Sequence, residues 1–135
     1  MKNQEDIGNA IRPFYGDAAA AQLTTLLKQH INIAGELVAA AAAGNTAKAA
    51  DADKRWHDNA VAIATFLSGA NPNWPQATVV EMLNKHLALT SREATNRIKK
   101  KWTEDQMTFD QIFSQAMEMA DTLSSGIMAQ FPTKV

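Results

Sequence analysis

Apolar residues recur at three- and four-residue intervals along four long stretches of this 135-residue chain. This spacing places them on one face of an α-helix. Capping residues separate the stretches, since Asp17 and Thr103 are good N-caps and Gly44 is typical of a helix end. We therefore predict four helices, over residues 17–43, 46–68, 75–101 and 104–130.

Each predicted helix is amphipathic, and short turns connect one helix to the next. Such helices form an all-α, antiparallel up-down four-helix bundle, here a single domain over residues 1–135. Residues 1–16 are expected to be a short N-terminal helical arm that Pro13 and Gly16 break, with the two aromatic residues between them docked on the bundle. The stripes expected to face the core in helices one, two and four are Leu23, Leu27, Ala34, Leu37 and Ala41; Ala49, Ala52, Trp56, Ala60, Ile63 and Leu67; and Phe109, Phe113, Ala116, Ala120, Leu123 and Ile127.

The two halves of the chain match in places when one is shifted by 56 positions. The shift brings Leu27 and His30 onto Leu83 and His86 without a gap. One interpretation is duplication of a helical hairpin, which would relate the halves by a pseudo-two-fold axis. The other is chance similarity between helices rich in alanine and leucine.

Composition removes several classes of function. The chain has 13 Lys and Arg against 14 Asp and Glu, a formal net charge of -1, and no Cys. A disulfide framework and a thiolate nucleophile are excluded, and without a basic surplus we expect no nucleic-acid partner. No apolar run approaches the roughly 18 residues of a membrane span, and the polar start resembles no signal peptide, so we expect a cytoplasmic protein.

Two histidines lie near the middle of the apolar stripes of helices one and three. In an up-down bundle these helices are parallel, so His30 and His86 should lie at similar height. Counting back from the turns places Trp56 or Asn59 opposite His30, and Met119 opposite His86. We interpret this layer as buried, hydrogen-bonded and mainly structural.

A cofactor site is the alternative to a structural layer. His30 and His86 could bind haem or a metal ion, with Asn59 and Met119 beside the group. Glu93 is a candidate third metal ligand, although two helical turns, about 10 Å of rise, separate it from His86. Pairing of Glu93 with Arg97 competes with that role.

Catalysis finds little support. The sequence contains no Gly-x-Ser-x-Gly elbow, P-loop or dinucleotide fingerprint. Asp53 and His57 are four residues apart but lie off the apolar stripe, which favours a solvated pair. We therefore expect a non-enzymatic binding or interaction module, forming a homodimer or other homo-oligomer, with an unknown small-molecule ligand if it binds one.

The chain resembles a group of small bacterial all-helical proteins of unestablished function. Members often carry the labels glycosyltransferase or acetylglutamate kinase, which imply α/β folds that this helical pattern does not match. The resembling proteins often have a further His-containing helix upstream; without it, we expect an apolar groove or self-association. The resemblance implies importance for His30, Asn59, His86 and Glu118. It rests on Arg12-Pro13-Phe14-Tyr15-Gly16-Asp17, Leu26-Leu27-x-x-His30, Trp56-x-x-Asn59-Ala60, Met82-Leu83-x-x-His86, Ala116-x-Glu118-Met119-Ala120-Asp121 and Gln130-Phe131-Pro132.

Overall fold

A computed structural model describes residues 1–134. It contains four helices and, within those residues, no strand: α1 (Lys2–Ala42), α2 (Thr46–Ala70), α3 (Gln76–Ile98) and α4 (Trp102–Gln130). The predicted all-α four-helix bundle is confirmed. In the first hairpin Glu36 pairs with Arg55 and the earlier His30 pairs with the later Asn59. In the second, Arg97 pairs with Asp105 and the earlier Lys85 pairs with the later Glu118, so the two helices of each hairpin are antiparallel.

The N-terminal arm is a continuous helix from Lys2 to the interruption at Gly16 and belongs to α1. Its helix passes through Pro13, so the expected break there is wrong, and the helical backbone is interrupted only at Gly16, with φ 84° and ψ 175°. Glycine suits this positive φ. Glu5 is 2.5 Å from Lys28, and a side chain at Gly8 would overlap that of Thr24. The arm therefore folds back along the rest of α1 from a reversal at Gly16.

Aromatic residues hold that reversal against the rest of the bundle, as predicted. The Tyr15 hydroxyl donates to Gln130 Oε1 at 2.8 Å and accepts from Asn71 Nδ2 at 2.9 Å. The Tyr15 and Phe131 rings meet edge to face, with centroids 5.3 Å apart. These contacts join the arm, the α2–α3 linker and the end of α4 at one end of the molecule.

The turns that follow α1 and α3 share one geometry. Gly44 has φ 67° and Lys100, 56 positions later, has φ 57°. In the first turn the N–H of Ala43 donates to the carbonyl of residue 39 and that of Gly44 to the carbonyl of residue 41. In the second turn the N–H of Lys99 donates to the carbonyl of residue 95 and that of Lys100 to the carbonyl of residue 97. The backbone therefore repeats at the same 56-residue spacing as the sequence. After the turn at Lys100, α4 begins at Trp102 with no side-chain cap, so the predicted capping box at Thr103 does not form.

The core lies around α2, which packs between α1 and α3. Its predicted apolar stripe is buried from Ala52 to Leu67, and Ala49 is half-buried. The stripe predicted for α4 faces the core only at its C-terminal end, where Leu123 and Ile127 pack against it. Phe109 and Phe113, at 53% and 62%, are exposed. Among the described residues α4 packs along its length only on α3, through a face about a third of a turn away that includes Gln115 and Gly126.

Candidate functional site

The buried imidazole of His30 is held by a side-chain amide from the neighbouring helix. His30 Nδ1 lies 2.7 Å from Asn59 Oδ1, and Asn59 Nδ2 donates to the carbonyl of Leu26 at 3.2 Å. Because the amide nitrogen is occupied there, the amide oxygen faces the imidazole and must accept a hydrogen bond from its N–H. In the neutral ring the proton therefore lies on Nδ1, and Nε2 keeps its lone pair.

The second hairpin repeats this arrangement. His86 Nδ1 lies 2.9 Å from Gln115 Oε1, and Gln115 Nε2 donates to the carbonyl of Met82 at 3.1 Å. All three residues are 56 positions after their counterparts in the first hairpin. Gln115 is buried, while His86 is only half-buried. The molecule thus holds two imidazoles whose Nδ1 protons are bound by amide oxygens.

His30 is buried and hydrogen-bonded to Asn59, which is the contact that the sequence predicted. The partner of His86 is Gln115, one helical turn before the predicted Met119, which packs half-buried at the edge of the core. Counting back from the turn missed Gln115 by that single turn. The 56-residue shift could have identified Gln115, because the shift places Asn59, another amide residue, at the position of Gln115.

Electrostatics keep the first imidazole neutral. Burial lowers the pKa of His30 below its ordinary value, the hydrogen bond with Asn59 opposes that change, and the charge that His86 carries when protonated lowers it further. Two charged rings in this region would repel each other. At neutral pH His30 is therefore an uncharged base with a free Nε2.

Glu93 does not join the two histidines. It pairs with Arg97 at 3.7 Å, and Arg97 also binds Asp105 at 2.9 Å. Within residues 1–134 no three His, Asp or Glu side chains lie together in a group that could hold a metal ion. The predicted three-ligand set is therefore not assembled, and the two imidazoles are the nitrogen ligands that this region offers.

The other predicted acid–base pair is a surface feature. His57 Nδ1 lies 2.9 Å from the backbone carbonyl of Asp53 and 3.7 Å from its carboxylate. Both side chains are about half exposed. This agrees with the expected solvated pair.

Trp56 connects the histidine region to an open groove. Its ring lies beside that of His30, with centroids 5.2 Å apart, and the residue is 2% exposed. Its indole Nε1 has no acceptor within residues 1–134. Trp56 also lines a groove of about 340 Å³ between α1, α2 and α3, named here the α1–α3 groove.

A second apolar feature lies on α4. Its uncovered side carries four large residues, which we call the α4 aromatic face. Their exposed fractions run from 53% to 62%. The members of this face are Trp102, Phe109, Phe113 and Met117.

Comparison with known proteins found no protein-family model, curated protein or solved structure that matches this chain. The family resemblance therefore stays a prediction. None of the helices within residues 1–134 is both long and apolar enough to cross a bilayer.

Proposed function

We propose that this chain is a binding module that associates with a second copy of itself through the α4 aromatic face. The observation that carries the proposal is the exposure of Phe109 and Phe113 on a helix packed on only one side. Aromatic residues and methionine are the types enriched in protein interfaces. A two-fold dimer would place the same face of each copy against its partner.

The surface area of the chain matches what such a dimer needs. The accessible surface is 7945 Å², whereas a compact monomer of 14.7 kDa exposes about 6,900 Å². The excess of about 1,000 Å² per copy is close to the roughly 800 Å² that each partner buries in a standard interface. A net charge of -1 adds little repulsion between two copies. We also propose a cytoplasmic location for the chain, as predicted from its sequence.

In this proposal the histidine–amide pairs are structural. Each one joins the two helices of a hairpin and satisfies buried polar groups. A slip of either helix by one turn would separate the ring from its amide. The pairs therefore fix how the two helices of each hairpin align.

Sedimentation equilibrium over the micromolar to millimolar range tests the proposal. The wild-type chain should show a mass of twice 14.7 kDa at high concentration. Phe113→Asp should return it to the monomer mass. Met107→Asp is the matched control, since Met107 is 61% exposed, lies outside the α4 aromatic face about a third of a turn from Phe113, and should leave the dimer intact. A wild-type chain that stays monomeric throughout the range would overturn the proposal.

Binding of haem or a metal ion at the two histidines is a second candidate function. The observation that favours it is the amide bound to each Nδ1, because metal-binding histidines commonly donate their other ring N–H to a fixed acceptor. The free Nε2 atoms of His30 and His86 would be the ligands.

Imidazole ¹H–¹⁵N correlation spectra during titration with Ni²⁺, and absorption spectra during titration with haemin, test this candidate. Binding should move the ring signals of His30 and His86 and spare those of His57. A Soret band that moves to longer wavelength with wild type and with His57→Ala, and not with His86→Ala, would support haem. Unchanged ring signals with both probes would contradict the candidate.

A further inference from the structure

The N-terminal arm is the counterpart of the second half of α2. A shift of 56 positions takes Gly8 and Ile11 of the arm to Ala64 and Leu67 of α2, and all four residues are buried. Each stretch lies just before a reversal of the chain. The internal repeat therefore includes the arm as well as the two hairpins.

The arm packs on α1 as the second half of α2 packs on α3. A Cβ atom added at Gly8 would lie 2.8 Å from the carbonyl oxygen of Ala20, so the arm runs close against the start of α1. In the equivalent place Thr65 Oγ1, one residue after the counterpart of Gly8, accepts a hydrogen bond from Gln76 Nε2 at 2.9 Å. Gln76 is 56 positions after Ala20.

The arm is shorter than α2 and covers only part of the α1 face. The aliphatic residues that α3 buries at the equivalent positions are Val79, Leu83 and Leu87. Their counterparts in α1 become more exposed with distance from the reversal at Gly16. Leu23 is buried, Leu27 is half-buried and Ile31 is 46% exposed. An apolar face suited to a helix therefore lies partly beneath the arm.

The outer side of the arm is polar. Lys2 binds Asp6 and Arg12 binds Asn9, all of them exposed. In proteins built from stacked helical repeats, a terminal element with a polar outer face prevents further helices from packing. The arm has this character at the α1 end of the chain.

Helix α4, at the other end, has no such cover. Its exposed residues Ala116 and Ala120 are the counterparts of Ala60 and Ala64 of α2, which are at most 1% exposed. The molecule thus has an α2-like helix without an α3-like partner at one end. At the other end it has an α3-like face covered by the arm.

We propose that the N-terminal arm is a displaceable cap on a second self-association surface, the α1 face that carries Leu23, Leu27 and Ile31. When the arm swings away, this face receives α4 of another copy, as α3 receives α2 within the chain. Such a contact joins two different surfaces, so each copy contacts two others and assemblies grow beyond two copies. The inference rests on the proposed role of α4 in self-association.

Gly16 provides a way to release the arm without changing its packing surface. Its φ of 84° and ψ of 175° belong to a region that only glycine adopts readily. A Cβ atom there would meet nothing within 4 Å, so Gly16→Ala acts through the backbone alone. Alanine should favour a continuous helix over the reversal and raise the open fraction roughly tenfold.

Sedimentation equilibrium and amide hydrogen exchange of Gly16→Ala test the proposal. The arm amides should exchange faster than in the wild type, and the mass should rise with concentration beyond twice 14.7 kDa. Gly69→Ala is the matched control, because Gly69 is an exposed glycine within α2 with nothing near its Cβ position and no positive φ. It should behave like wild type.

A second substitution identifies the surface that the uncovered face receives. Ala120→Asp combined with Gly16→Ala should stop growth beyond two copies, because the contact would bury an unpaired carboxylate. Ala120 is exposed, so this change leaves the folded chain intact. Continued growth of the double variant would contradict α4 as the occupant.

A disulfide tests the cap in the opposite direction. A Cβ atom at Gly8 would lie 3.2 Å from the Thr24 Cβ, within a few tenths of an ångström of the range for a disulfide. The chain has no other Cys. With Gly8→Cys and Thr24→Cys added to Gly16→Ala, the oxidised protein should stay at the wild-type mass. The same protein should form larger assemblies once reduced.

Two results would overturn the proposal. One is an arm that exchanges faster in Gly16→Ala while the mass stays that of the wild type. The other is equal protection of the arm in Gly16→Ala and in the reduced cysteine variant as in the wild type, since the cap would then not be displaceable. A wild-type chain that stays monomeric contradicts only the dimer, and growth of Gly16→Ala would still support the cap.

Discussion

Helices α2 and α4 are the second helices of the two hairpins, yet only α2 has its apolar face buried against helices on two sides. Ala60 and Ala64 of α2 are at most 1% exposed, whereas their counterparts 56 positions later, Ala116 and Ala120, are exposed. The two sequences have the same apolar spacing. The difference arises because α2 packs between α1 and α3, while α4 packs along its length on α3 alone. An apolar stripe therefore shows which face of a helix is suited to packing, but it does not show which element packs against that face.

The largest contrast is expected from matched leucines. Leu67→Ala should lower the free energy of unfolding by about 3 kcal/mol, because it leaves a cavity at a residue that is 5% exposed. Leu123→Ala, at the equivalent half-buried position, should cost about 1 kcal/mol, since the site is open enough to relax. Urea unfolding at low protein concentration measures both. Equal losses would show that α4 is covered as fully as α2.

A smaller contrast is expected from the two amides. Asn59→Ala leaves the Nδ1 proton of buried His30 without an acceptor and should cost about 2 kcal/mol. Gln115→Ala should cost about 1 kcal/mol, because half-buried His86 can turn its ring towards water. The same unfolding experiment compares them. A greater loss for Gln115→Ala would contradict this account of the two pairs.

Acid should destabilise the fold through His30. Burial lowers the pKa of His30 in the folded chain, so the unfolded chain takes up that proton at higher pH. The free energy of unfolding should therefore fall as pH drops below about 6.5, and continue falling until the folded pKa is passed. His30→Gln keeps an amide partner for Asn59 and should show a flatter dependence over this window. His57→Gln, at a half-exposed site, should behave like wild type. An unchanged slope in His30→Gln would place the origin of the acid sensitivity elsewhere.

The smallest effect concerns the α4 aromatic face itself. Phe113→Ser should change the stability of the dilute monomer by no more than about 0.5 kcal/mol, because the ring is 62% exposed there. Thermal unfolding at the lowest measurable concentration checks this value. A large loss would mean that the ring packs within the monomer.

Local signals in the sequence predicted much of the fold. Helical spacing found the four helices, and Gly16 marked the reversal of the chain. Pro13 was misinterpreted because it lies in the last turn before that reversal, where the loss of one backbone hydrogen bond is tolerated. The predicted cap at Thr103 competed with a left-handed turn at Lys100 that starts α4 earlier.

The candidate site was only partly predictable for a different reason. Asn59 was predicted as a partner because counting from the turn places it level with His30. For His86 the same count was wrong by one helical turn, so it gave Met119 in place of Gln115. The unpaired indole of Trp56 depends on atomic contacts between three helices. Such contacts leave no periodic signal in a single sequence.

An isotope-filtered NOE experiment tests the central claim most directly. A mixed sample would combine chains labelled with ¹³C on the methionine methyl groups and unlabelled chains. Met117 belongs to the α4 aromatic face, so its methyl group should show NOEs to aromatic protons of the unlabelled partner. The methyl group of Met107, which lies outside the α4 aromatic face about 120° around the helix from Phe113, should show none. Contacts to Met107 without contacts to Met117 would contradict the claim, and so would the absence of any NOE between chains at millimolar concentration.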